Sequence, residues 1–105
     1  MITYMSIDLS TLDQFDWDEG NRNKNSLKHN VSTKEAEEVF TNNPLLSEDI
    51  KHSDKEKRFR ALGKTITGRL LFVVFTIRTS NQELKIRIIS ARDTNKKEEV
   101  DYEKT

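Results

Sequence analysis

The chain has 105 residues, of which 33% are apolar, and this is enough for one small domain with a modest core. It contains no cysteine, so a disulfide framework and a thiolate metal site are both excluded. The longest apolar run, LLFVVF at 70–75, is too short to cross a bilayer, and the N-terminus lacks the features of a secretory signal. We therefore expect a soluble cytoplasmic protein with no membrane partner.

The net charge is zero, but the charges are unevenly distributed along the chain. Residues 1–20 carry five acidic and no basic side chains, whereas residues 59–92 carry seven basic side chains and one acidic one. A strand-rich segment with this imbalance can bind a polyanion although the whole chain is neutral. The alternative is a solvated basic face that acidic helices balance.

The first thirty residues give weak signals. Residues 1–14 show no clear period and are predicted to form an N-terminal extension, with a short strand near 5–9. The alternation in FDWDE places Phe15 and Trp17 on one side, as in a half-buried strand. A helix over 19–28 is predicted to follow, although its glycine and asparagines have poor helix propensity. Residues 15–105 are predicted to form a single domain.

The clearest local signal is the start of the next helix. Asn30 suits a left-handed turn, and Ser32 with Glu35 has the spacing of a capping box. TNNP at 41–44 is predicted to end this helix. Its expected buried side chains are Ala36, Val39 and Phe40.

Strands dominate the second half of the chain. A short strand at 45–47 and a polar loop at 48–57 precede three predicted strands, at 58–66, 69–78 and 84–91. The second of these is apolar on both faces, so we expect a central strand that is covered on both sides, with Phe72 and Val74 in the core. In the third strand Ile86 and Ile88 share one face, and Lys85, Arg87 and Ile89 share the other. Asn95 with Glu98 is predicted to cap a last helix that runs through Tyr102.

The predicted fold class is therefore α+β: an antiparallel β-meander with helices packed on one face. No P-loop or glycine-rich dinucleotide turn occurs, and the two histidines lack the spacing of a zinc helix, so we expect no metal and no cofactor. What remains is a pair of histidines, His29 and His52, and a basic sheet. Metal-independent hydrolysis of RNA needs a proton acceptor for the 2′-hydroxyl, a proton donor for the leaving oxygen and cations for the phosphorane, and His and Arg supply these groups.

The order of the segments adds a family resemblance. FDWDEGNRNKNSLKHNVSTKEAEEVF, DIKHSDKEKRFRALGK, GRLLFVVFTIR and IRIISARDTNKKEEVDYE together resemble the BrnT family of bacterial type II toxins. These toxins are small ribonucleases with a RelE-like fold, encoded with a ribbon-helix-helix antitoxin. The likeness covers residues 15–103.

The resemblance implies particular positions. The family's Lys-His-Gly-Val segment corresponds to residues 28–31, with Asn30 in place of the usual glycine, and its Ile-Arg-Ile-Ile-Ser-Ala-Arg strand corresponds to residues 86–92. The family's His-containing loop corresponds to Asp49, His52, Ser53, Glu56 and Arg58. A glutamate near the start of the last helix and a tyrosine near its end correspond to Glu98 and Tyr102.

The resulting hypothesis is a metal-independent endoribonuclease toxin that cleaves RNA and arrests translation and growth. His52 or His29 would act as base or acid, with Glu56 orienting the imidazole. The predicted catalytic set is His52, His29, Glu56, Arg58, Arg87 and Arg92, and the predicted RNA-binding set is Lys28, Lys64, Arg69, Arg78, Lys85 and Tyr102. The expected partner is a BrnA-like ribbon-helix-helix antitoxin in a hetero-oligomer.

The sequence also allows other roles for the same residues. His29 can be the polar end of a helix, His52 an ordinary loop residue, and Tyr102 only an anchor of the last helix. An alternative for the whole chain is a catalytically weak binding module that holds a DNA-binding antitoxin or repressor.

Overall fold

The computed structural model describes residues 15–17, 29–52, 55–80 and 82–104. Over these residues a four-stranded antiparallel sheet has the order β1-β2-β3-β4, which confirms the α+β class and the predicted meander. The elements in chain order are α1 (Thr33–Phe40), β1 (Leu45–Glu48), β2 (Phe59–Lys64), β3 (Leu70–Ser80), β4 (Glu83–Asp93) and α2 (Lys96–Glu103), with a 3₁₀ turn at Ile50–His52.

Helix α1 begins as the sequence predicts. The Ser32 Oγ accepts from the Glu35 amide and the Glu35 carboxylate accepts from the Ser32 amide, each at 3.1 Å, so the capping box is complete. Asn30 has a φ of 53°, which confirms the left-handed turn before the cap. The helix ends at Phe40, and the following TNNP segment leads into β1.

The main core lies between α1 and one face of the sheet. Phe40 packs edge-on against Phe75 of β3, with ring centroids 4.9 Å apart. Gly63 of β2 lies so close to α1 that a Cβ there would be 3.1 Å from the Val39 Cγ1. The other buried side chains of this core are Val31, Ala36, Leu46, Ala61, Leu71, Val73, Ile86, Ile88 and Ala91. This face is called the core face below.

The predicted strand at FDWDE is reduced to a single bridge. Phe15 pairs with Ile86 in parallel, and the Asp16 amide donates to the Ile86 carbonyl at 2.8 Å. Trp17 packs against the core and donates from Nε1 to the Glu37 carboxylate at 2.6 Å. The strand predicted near 5–9 and the helix predicted over 19–28 lie outside the described residues.

Helix α2 lies on the opposite side of the sheet, which is called the open face below. Leu62, Phe72 and Arg92 are cross-strand partners, and they alternate with the core-face residues of their strands. The Arg92 guanidinium lies over the Phe72 ring at 4.3 Å and binds Glu98 of α2. The prediction that the helices pack on one face is therefore wrong for the two described helices, because α1 and α2 cover opposite faces.

A β-bulge in β4 determines which side chains reach the open face. Val74 pairs with Ser90 but Phe75 pairs with Ile88, so Ile89 is the extra residue. Strict alternation from Ile86 and Ile88 would place Arg92 on the core face. The bulge shifts the phase by one residue, so that Ala91 is buried and Arg92 joins Arg87 on the open face.

Strand β3 is central, as predicted, but it is not covered on both sides. Phe72 and Val74 are only half-buried, and the prediction that they belong to the core is wrong. The reason is that α2 is short, contributes no buried residue and covers only part of the open face. The part that it leaves uncovered forms a cleft. None of the helices within the described ranges is long and apolar enough to cross a membrane.

Candidate functional site

An open cleft of about 570 Å³ lies on the open face beside α2. Its floor is apolar, because Phe72, Val74 and Ile89 lie there half-buried. Three arginines stand around this floor, and the segment between β1 and the 3₁₀ turn forms one wall. The polar and charged side chains that line the cleft are Glu48, Asp49, Lys51, Arg58, Arg60, Ser90 and Arg92.

Arg60 is the central cation of the cleft. It lies half-buried on β2, and its Nη2 donates to the Glu48 carbonyl at 3.2 Å. Its Nε is buried and has no hydrogen-bond partner among the described residues. A buried donor without an acceptor is costly, and a bound anion would satisfy it. Arg60 is not among the site residues predicted from the sequence. The alternation in RFRA nevertheless places Arg58 and Arg60 on one face of the strand and Phe59 and Ala61 on the other.

Arg92 is held at the edge of the cleft by α2. It makes a bidentate ion pair with Glu98, with N–O distances of 2.9 and 2.8 Å. Burial raises the pKa of the Glu98 carboxyl, but the hydrogen bonds from Arg92 and from the Asn95 amide outweigh it, and the pKa is lowered overall. Glu98 therefore stays charged and neutralises part of the Arg92 charge.

The loop that carries His52 is closed next to the cleft. The Asp49 amide donates to the Arg58 carbonyl at 2.7 Å, so the two ends of the loop are joined. The 3₁₀ turn Ile50–His52 follows, and Ile50 and Lys51 line the cleft. The backbone of His52 therefore directly follows two residues that line the cleft, while its side chain and Ser53 lie outside the described part of the chain.

Further cations continue along the open face away from α2. Arg87 is the cross-strand partner of Thr76, and Lys85 is the partner of Arg78. The Arg87 Nη1 lies 3.8 Å from the Asp16 carboxylate, and its side chain is 24% exposed. The predicted partner of the histidine, Glu56, lies instead 3.5 Å from the Arg78 Nε. The predicted residues that the structure brings to this end of the open face and to the cleft are Arg58, Arg78, Lys85, Arg87 and Arg92, together with Glu56 beside Arg78.

His29 is not among the residues that line the cleft. It is half-buried and directly precedes Asn30 and Val31, and Val31 is completely buried in the core under α1. The structure therefore does not bring His29 and His52 together at one cleft. Lys28 lies outside the described residues.

Arg69 also lies apart from the cleft, in an ion-pair network at the start of α1. Its guanidinium binds Asp93 through two hydrogen bonds of 2.7 and 2.9 Å and binds Glu35 at 3.1 Å. It also donates to the Asn30 carbonyl at 2.9 Å. These contacts raise the pKa of Arg69, chiefly through the hydrogen bonds to Asp93, and they give Arg69 a structural role.

The remaining predicted pair lies at the end of β2. The Lys64 Nζ lies 5.7 Å from the centre of the Tyr102 ring, in a cation–π contact between β2 and α2. Lys64 is exposed, and five residues of β2 separate it from the Arg58 end of the cleft. This position fits the interpretation of Tyr102 as an anchor for α2. Within the described ranges no cluster of His, Cys, Asp or Glu could hold a metal ion.

Comparison with known families identifies the chain. The family model of the ribonuclease toxin BrnT of type II toxin–antitoxin systems matches residues 17–98, which includes the core, the cleft and the start of α2. No curated protein matches the chain. The chain therefore belongs to the BrnT family of ribonuclease toxins of type II toxin–antitoxin systems.

Proposed function

We propose that this protein is a metal-independent endoribonuclease toxin whose substrate lies in the cleft on the open face. The observation that carries the proposal is the set of guanidinium groups around an apolar floor, with Arg60 at the centre and a buried Nε that has no acceptor among the described residues. Phosphate oxygens match these donors in charge and geometry. The RelE-like fold implied by the resemblance is part of the same proposal.

The shape of the site favours single-stranded RNA. The apolar floor formed by Phe72, Val74 and Ile89 is available to unstacked bases, whereas the arginines take the backbone. Arg87, Lys85 and Arg78 extend the cationic track along β3 and β4. The RNA strand would thus run across the open face from the α2 side towards the Arg78 end.

The proposed reaction is an attack of the RNA 2′-oxygen on the adjacent phosphorus. A base removes the 2′-hydroxyl proton, the bond to the 5′-oxygen breaks, and an acid protonates that oxygen as it leaves. The products are a 2′,3′-cyclic phosphate and a 5′-hydroxyl. Arg58, Arg60 and Arg92 would stabilise the extra negative charge of the phosphorane.

His52 is the better candidate for the proton transfer. The 3₁₀ turn holds its backbone beside two residues that line the cleft. His29 does not line the cleft and stands just before Asn30 and the buried Val31, so its proposed role becomes that of a helix-end residue. Because Glu56 pairs with Arg78, we propose that it positions that arginine.

The type II family implies an antitoxin partner, and we propose a BrnA-like ribbon-helix-helix protein in a hetero-oligomer with this chain. A cationic cleft is best neutralised by an acidic segment of the partner, which would also exclude RNA from it. The toxin would act on cytoplasmic RNA and thereby arrest translation and growth.

Expression of single variants tests the proposal. We expect His52→Ala and Arg87→Ala each to relieve growth arrest, while Lys34→Ala remains toxic, because Lys34 is an exposed cation on α1. The variants must accumulate as folded protein to the level of the parent chain. Full toxicity of both the His52 and the Arg87 variant would reject the mechanism and would favour the alternative, a binding module for a DNA-binding antitoxin.

A further inference from the structure

A second cavity, of about 190 Å³, lies between the open face and α2. Its apolar wall consists of Leu45, Leu62 and Phe72, and Asp101 lines it from α2. At about 30 Å³ for each water molecule, the cavity corresponds to about six waters. This is the size of one planar heterocycle rather than of a complete nucleotide.

The cavity is continuous in its walls with the cleft. Arg60 and Phe72 line both spaces. A phosphate that accepts from the Arg60 guanidinium would therefore place the base of the same or the next nucleotide at the entrance to the second cavity. Sequence-specific recognition of RNA uses this arrangement, in which an unstacked base enters an apolar pocket and its edge is read by polar groups.

Three of the six polar or charged residues that line the cavity, Arg60, Asn95 and Glu98, already have hydrogen-bond partners, and Lys97, which also lines it, is exposed. The Asn95 Oδ1 accepts from the Glu98 amide at 2.9 Å, and the Glu98 carboxylate binds Arg92. Within the described part of the chain, the Asp101 carboxylate and the Ser47 hydroxyl make no hydrogen bond. These two groups face the cavity and can serve a ligand.

We propose that the cavity binds one unstacked base of the RNA and that Asp101 selects guanine. This inference rests on the proposed function for the position of the RNA. The Watson–Crick edge of guanine presents two adjacent N–H donors, which match the two oxygens of a carboxylate. Uracil presents one N–H between two carbonyl oxygens, which the carboxylate repels, and adenine and cytosine each present a single amino group beside ring acceptors.

Binding of short RNAs in which every 2′-hydroxyl is methylated tests this selection without requiring cleavage. Four oligonucleotides that are identical except for the central base are titrated with the complete chain, and binding is followed by fluorescence anisotropy. We expect the guanine oligonucleotide to bind about 10- to 100-fold more tightly than the uracil one. Asp101→Asn should remove this preference, whereas Glu99→Gln, an exposed residue of the same helix, should keep it.

The outcomes separate this inference from the proposed function. Equal affinity for the four oligonucleotides, no binding of any of them, or a guanine preference that persists in folded Asp101→Asn overturns the base site. A second variant, Ser47→Ala, checks that a loss of guanine preference in Asp101→Asn does not reflect a displaced helix. Ser47 lies on β1 rather than on α2, and its substitution should weaken guanine binding as well. If guanine is selected but the chain does not cleave unmodified RNA, only the proposed function fails.

Discussion

The role of Arg60 gives the sharpest prediction about one side chain, because its effects on stability and on activity should separate. The substitution Arg60→Met keeps the length of the side chain and removes the guanidinium. The hydrogen bond to the Glu48 carbonyl is lost, at a cost of about 0.5–1.5 kcal/mol, but the buried Nε without an acceptor is also removed, and such an unpaired donor costs about 1–3 kcal/mol. The two terms oppose each other and the second is the larger, so the free energy of unfolding should stay the same or rise by about 1 kcal/mol.

The expected effect on activity is much larger. Loss of one preorganised donor to the transition state lowers the turnover rate about 10²- to 10³-fold. Loss of one phosphate contact should also lower the slope of log K against log salt by about 0.7 for a single strand. The assays are urea unfolding of both proteins, cleavage of a defined RNA by the folded proteins, and binding of uncleavable RNA at several salt concentrations.

Lys34→Met is the matched control, because it removes an exposed cation from the other side of the sheet. We expect this control to retain both the cleavage rate and the salt slope. If Arg60→Met is folded and cleaves RNA at the rate of the parent, Arg60 does not act on the transition state and the assignment of the cleft is refuted. It is equally refuted if the variant loses activity only in proportion to the fraction that unfolds.

Three further predictions concern stability. Arg69→Met should destabilise the fold by about 1–2 kcal/mol, since it breaks partly exposed ion pairs, yet the folded variant should cleave RNA at the rate of the parent. Urea unfolding and the RNA assay measure the two effects, and a loss of cleavage would place Arg69 in the site. Gly63→Ala should cost about 1–3 kcal/mol, because the added Cβ lies 3.1 Å from the Val39 Cγ1; an unchanged melting temperature would contradict that close approach. Stability should also fall as the pH drops below about 4.5, because the pKa values of the Glu35, Asp93 and Glu98 carboxyls are lowered in the fold. The stabilisation from such groups is fully present, and independent of pH, above the unfolded pKa, and it is lost as the pH falls through the folded pKa; urea midpoints measured across pH should show this loss.

The local signals in the sequence were sufficient for the helix starts. Both capping boxes, at Ser32 and at Asn95, depend on side chains three residues apart, so they can be read without knowledge of the fold. The left-handed turn at Asn30 was predictable for the same reason. The antiparallel meander followed from three strand patterns with short turns, and the structure confirms it.

Local spacing could not predict which side chains lie on which face of the sheet. The bulge at Ile89 is one extra residue in an otherwise regular strand, and it moves Arg92 to the open face. Phe72 and Val74 are as apolar as core residues, so the pattern predicted that they are buried. They line a cleft because α2, which follows them in the chain, covers only part of that face.

The candidate site was predicted only in outline. The sequence identified basic strands and the His52 loop, but it placed His29 and Arg69 with them, whereas the structure places those two residues elsewhere. Arg60 was not among the predicted site residues, because nothing in the local pattern of β2 distinguishes it from an ordinary solvent-facing arginine of a half-buried strand. Its importance depends on contacts with residues distant in the sequence, namely the Glu48 carbonyl on the neighbouring strand and the residues with which Arg60 lines both the cleft and the second cavity.

The most direct test of the central claim is to incubate the purified protein with a defined RNA in EDTA and to map the ends of the products. We expect the parent chain and Lys34→Met to produce fragments with 2′,3′-cyclic phosphate and 5′-hydroxyl ends, and folded Arg60→Met and His52→Ala not to produce them. The absence of cleavage by the parent chain, 5′-phosphate ends, or equal cleavage by the Arg60 and His52 variants would contradict it.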